Sequence, residues 1–121
     1  MPELVHTETD EQGITYNLFI QPDDLSVRGN AVVSGDAAFD RKTENEILER
    51  LADGDIWAWA DVECQAEYKG FTGSDYLGAC SYRNTEQFVR PGDYWDDMKA
   101  ESKRELLARL QRAKVALESL S

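Results

Sequence analysis

The chain has a single histidine, His6, and only two cysteines, Cys64 and Cys80, in 121 residues. One imidazole leaves no His-based triad, and one histidine with two cysteines falls short of a zinc ligand set. In a reducing compartment two cysteines read as free, buried thiols. A cross-strand disulfide would need a geometry that spacing alone does not supply. There is no G-x-S-x-G, no P-loop and no H-E-x-x-H, so no catalytic residue, metal ligand or cofactor is assigned. No apolar run approaches the roughly 20 residues of a membrane span. The N-terminus lacks the basic-then-apolar order of a signal peptide. A cytoplasmic protein with no membrane contact is expected.

Positive charge is also scarce. Thirteen Lys and Arg stand against 24 Asp and Glu, a net charge of −11. Residues 1–67 carry 16 acids and 4 bases, whereas residues 68–121 carry 8 and 9. A field of this sign repels nucleic acid and anionic membrane and favours a basic partner. The same charge also serves plain solubility.

What is present is organised around residues 55–82. Ile56, Ala58, Ala60, Val62, Cys64, Ala66 and Tyr68 alternate with Trp57, Trp59, Asp61, Glu63, Gln65 and Glu67. A period of two predicts a strand with one buried face. Small residues line that face, so a helix can pack close. The opposite face begins with two tryptophans and turns acidic. Gly70, Gly73, Ser74 and Asp75 predict a loop longer than two residues, followed by a second strand through Tyr82. Gly78 inside that strand predicts a bulge or a close backbone approach.

Residues 1–12 are polar and aperiodic, and read as a flexible tail. Residues 13–121 form one domain by size. Ile14 to Ile20 is rich in β-formers. Residues 22–40 make a long connection. Long connections are often functional, which makes Arg28, Asn30, Ser34 and Asp36 candidate loop residues, with Asp75 in the hairpin turn. The plainer reading is local: glycines for positive φ, and Asp75 bonded to its own backbone. A first helix starts between Asp36 and Thr43 and stops near Asp53-Gly54. A long last helix runs from about Asp93 to Leu120, with Asp93 as N-cap. Its stripe of Leu106, Leu110, Ala113, Leu117 and Leu120 suits core packing, and a dimer seam is the alternative.

The predicted fold is α+β: a small antiparallel sheet of three to four strands against two helices, the long C-terminal helix covering one face. Exposed Trp57 and Trp59 would form an aromatic binding face; otherwise the N-terminal strand or the 21–40 loop covers them. Asp61 and Glu63 project from one strand face, but a cation would need a third ligand.

Several segments carry a resemblance: Pro22 to Ala31, Ser34-Gly-Asp36, Gly54 to Trp59, Gly73 to Tyr82 and Tyr94 to Met98. Over roughly residues 14–110 the chain resembles a family of short accessory proteins of bacteriophages and prophages. The resemblance implies a non-enzymatic protein of a mobile element, acting in the host cytoplasm, and it carries over no site residues. Joined to the charge split, it suggests a host-protein partner with a basic surface. The sharpest version is an anti-defence inhibitor of anti-CRISPR type. Glu44, Glu46, Glu49, Asp53, Asp55, Asp61, Glu63 and Glu67 would then mimic a phosphate backbone. Two other readings stand beside it: an assembly protein, monomer or homodimer in solution, that self-associates through the last helix or the tryptophan face, and a small enzyme or small-ligand binder using the 22–40 loop and the hairpin turn.

Overall fold

A computed structural model describes residues 2–120. Four strands form one antiparallel sheet in chain order: β1 (Glu3–Thr9), β2 (Thr15–Pro22), β3 (Ala60–Tyr68) and β4 (Phe71–Cys80). The helices are α1 (Ala37–Ala52), a short α2 (Thr85–Phe88) and the long α3 (Tyr94–Ser119). The fold is therefore α+β, with the C-terminal helix packed on the sheet.

The N-terminal residues are not a loose tail. Residues 3–9 pair with β2, from Glu3 opposite Ile20 to Thr9 opposite Thr15. Their polarity reflects an edge position, where half the backbone and most side chains meet water. Lys99 of α3 fixes this edge by an ion pair to Glu8, which also accepts from the Trp95 indole at 3.2 Å.

The alternation in β3 holds from Ala60 onwards, with Ala60, Val62, Cys64 and Ala66 buried. Upstream it fails. Ile56–Ala58 is a single 3-10 turn capped by Asp55, whose carboxylate accepts from the Trp57 N–H. An apolar-alternating run can mimic strand periodicity when its residues sit at a change of direction. Trp57 and Trp59 are consequently buried, at 6% and 3% exposure, and there is no exposed tryptophan face. Trp57 joins Tyr82, Phe88 and Trp95 in an aromatic cluster, with a ring separation of 5.2 Å to Phe88. Trp59 enters a second, smaller core with Val27, Ile47 and Ala58, and its indole donates to the Leu25 carbonyl at 2.7 Å.

The β3–β4 hairpin turns on Lys69 and Gly70 alone, both with positive φ (52° and 84°). That is a two-residue turn of the type whose twist matches the flanking strands. Gly73 therefore lies within β4, and a Cβ there would run into the Ser102 carbonyl and the Leu106 nitrogen of α3. The helix crosses the sheet at Gly73 and its neighbour Ala66, backbone against backbone. Among the described helices α3 lies across the sheet, whereas α1 packs on the 3-10 turn and the preceding loop.

Helix α1 starts at Ala37, where Asp36 accepts from the Ala38 and Phe39 amides. Asp93 caps α3 as expected. The predicted core stripe of α3 holds only in part. Leu106 is fully buried, but Leu117 and Leu120 are 70% and 85% exposed, because the helix outruns the sheet. Cys64 and Cys80 are free thiols. Burial pushes both up to about 11.

Candidate partner-binding surface

The eight predicted acids do not form one surface. Glu44 is buried; it accepts from Arg28 at 3.0 Å and from the Gly29 amide at 2.7 Å. The Gly29 amide, then Arg28, hold its carboxyl below the usual range. Glu46, Glu49 and Asp53 are exposed on or just beyond α1. Asp55 caps the 3-10 turn and pairs with Arg50 at 2.8 Å. Asp61, Glu63 and Glu67 lie together on the outer face of the sheet, as the strand alternation predicted.

The candidate loop residues hold the loop itself. Arg28 reaches across to Glu44 and Asn45, Asn30 donates to the Ser26 carbonyl, and Ser34 donates to Asp40 at 2.6 Å. Asp36 is the α1 cap. Asp75 lies in β4 opposite Cys64 instead of in the turn. These side chains help hold residues 23–35 in place without regular secondary structure, through local bonds at Asn30 and Ser34 and a tie from Arg28 to α1.

The outer face is built by the pairing register. Leu4 stands beside Phe19 and Thr7 beside Asn17. Phe19 then faces Glu63, Asn17 faces Gln65, and Gln21 faces Asp61. Glu63 faces Tyr76, Gln65 faces Ser74, and Glu67 faces Thr72. Three acids and no Lys or Arg occupy these positions. Near the β3–β4 bulge lies a hollow of about 250 Å³, lined in part by Pro2, Phe19, Gln21, Asp61, Glu63 and Tyr76. Tyr76 is 71% exposed. Glu63 accepts from Ser74 at 2.9 Å and from the Tyr76 hydroxyl at 3.4 Å, which fixes the carboxylate beside the ring.

The bulge places Gly78 and Ala79 opposite Asp61 alone, between the pairs Ala60–Cys80 and Val62–Leu77. Ala79 takes φ 52°, and its amide donates to Asp23 at 2.6 Å. Asp23 and Asp61 share a hydrogen bond. It lowers the Asp23 carboxyl and, with burial, raises that of Asp61.

Sequence reading missed Asp23, Phe19, Gln21 and Tyr76. The signal for Tyr76 was Gly78: one extra residue at a bulge puts Tyr76 outward while Cys80 stays inward. Among the described residues no three His, Cys, Asp or Glu converge on a metal position, and no helix is long and apolar enough to cross a membrane. No protein-family model, curated protein or solved structure matches the chain.

Proposed function

We propose that the protein is a non-enzymatic binding protein that docks the open face of its sheet on a basic surface of a partner protein. The observation that carries this reading is the single sign of that face, with Asp61 and Glu63 beside exposed Tyr76 and half-buried Phe19 and Glu67 further along the same strand. Aromatic anchors with a charged surround are the composition of a protein interface. Carboxylates without neighbouring bases recruit cationic partners over distance. The resemblance to short phage proteins makes a host protein the partner. A nucleic-acid-handling protein, blocked in its basic channel, is the sharpest form of this reading, an anti-defence function. Glu44 and Asp55 leave the list of mimic residues, since their carboxylates already serve Arg28 and Arg50.

The test is affinity capture from host lysate at low and high salt, with wild type beside two charge reversals. One carries Glu63→Lys with Glu67→Lys; the other carries Glu46→Lys with Glu49→Lys. The expected result is capture of basic proteins that high salt releases, abolished by the first pair and retained by the second. Capture unaffected by the first pair contradicts the proposal.

A further inference from the structure

On the outer face Phe19, Glu63 and Tyr76 stand in one row across three strands, with Gln21 and Asp61 in the next. The hollow of about 250 Å³ lies among them. It is open because exposed Gly78 has no side chain. A Cβ at Gly78 would stand 3.1 Å from an Asp61 carboxylate oxygen and 3.4 Å from one of Asp23. Two carboxylates therefore border the space that Gly78 leaves. Glu63 lines it as well, held by Ser74 and by the hydroxyl of Tyr76, whose ring stands beside it.

The geometry points to one arginine side chain of the partner protein as the occupant of this hollow, its guanidinium stacked on the Tyr76 ring and its N–H groups shared between Glu63 and Asp61. This rests on the reading of the outer sheet face as the docking face, and names what that face grips.

Size, sign and lining select the occupant. The hollow falls below the roughly 300–1,000 Å³ of small-molecule sites, so it suits a single side chain. The ion pairs among the described residues leave Asp23, Asp61 and Glu63 out. An entering cation therefore meets carboxylates with no base beside them. Asp23 and Asp61 also oppose one another: their shared hydrogen bond, then burial, then the Asp23 charge raise the Asp61 carboxyl. A cation in the hollow relieves that opposition. A metal ion is the poorer occupant, since no three acids converge among the described residues.

The remaining lining is apolar, from Phe19, Ile20, Val62 and Leu77. A guanidinium is less strongly hydrated than an ammonium and stacks on aromatic rings. Its planar fork also serves two carboxylates at once, which a lysine serves only as a point charge. Lysine is thus the weaker occupant of the same site.

Titration of the full, isotope-labelled chain with hexa-arginine and with hexa-lysine, at pH 7 and low salt, tests this by NMR. Hexa-arginine is expected to bind at least about fivefold more tightly. Its largest shifts should fall on the Tyr76 ring, Glu63 and Gly78. Tyr76→Leu, and separately Gly78→Ala, should bring hexa-arginine to the hexa-lysine level and change hexa-lysine binding by no more than about twofold. Tyr76 is 71% exposed, so its replacement keeps the fold and decides the matter even where Gly78→Ala disturbs the bulge. Equal binding of the two peptides on the sheet face overturns the arginine site and leaves the docking face standing. A preference for arginine that survives Tyr76→Leu overturns the site as well. Neither peptide shifting the face overturns the docking reading with it. Shifts of the same resonances on concentrating the protein alone, from about 50 μM to 1 mM, would make a second copy the occupant and overturn the proposal.

Discussion

The two faces of the sheet come from the same strands and have opposite chemistry. The inner face carries Ala60, Val62, Cys64, Ala66 and Gly73, and α3 lies close upon it. The outer face carries Asp61, Glu63, Gln65, Glu67 and Tyr76, and water meets it. Each residue step along β3 moves from one regime to the other. On the inner face volume decides stability. On the outer face charge and one aromatic ring decide what the protein can bind, and stability is nearly indifferent.

Substitutions at neighbouring positions should therefore differ sharply. The largest effect is expected at Gly73, where any Cβ meets the α3 backbone. Gly73→Val should cost about 3 kcal/mol or more, because a helix backbone cannot yield as a side chain can. Urea unfolding reads this, and a loss below about 1 kcal/mol would mean that α3 sits further from the sheet. Leu106→Ala, at a fully buried position, should cost about 3 kcal/mol through lost burial and a residual cavity.

A smaller effect is expected at the bulge, where the faces meet. Asp23 has a lowered carboxyl pKa, so its contribution is present above its usual value of 3.8 and fades as pH falls. Asp61 has a raised one, so its contribution is present below 3.8 and is lost as pH rises through the raised value. At neutral pH a charged Asp61 opposes Asp23. Asp61→Asn supplies a permanent donor and should raise the thermal midpoint at pH 7, the gain vanishing towards pH 4. Thermal melts of both proteins across that range check the sign; a lower midpoint for the variant at pH 7 would contradict the opposition of the two carboxylates.

The smallest effect on stability belongs to the outer face itself. Tyr76→Ala, at an exposed site, should change unfolding free energy by no more than about 0.5 kcal/mol, and Glu63→Lys, which loses the Ser74 hydrogen bond at a half-buried site, by about 1 kcal/mol. The same two changes should remove partner capture. A stability loss comparable with that of Leu106→Ala would show that the outer face is packed.

Much of this contrast was legible in the sequence, and the reasons for the misses are specific. Alternation from Ala60 to Glu67 announced both faces because one buried side suffices to impose a period of two. The same alternation misled at Trp57 and Trp59, since a 3-10 turn also buries residues that a strand would expose. Lys69-Gly70 was hidden among further glycines, one of which serves helix packing rather than turning. The polar residues of β1 gave no strand signal, because an edge strand gains its pairing from β2 and not from its own pattern. Glu44 looked like surface because its partner Arg28 is 16 residues away in sequence. Pairing between an acid and a distant loop arginine leaves no local mark.

The central claim is that the outer sheet face, and not the acidic surface of α1, receives basic partners. Titrating isotope-labelled protein at low salt with an oligo-arginine peptide, read by amide and aromatic NMR shifts, tests it most directly. The account predicts saturable shifts centred on Phe19, Asp61, Glu63 and Tyr76, lost in Glu63→Lys. Shifts centred on Glu46, Glu49 and Asp53, with the sheet face silent, would contradict it.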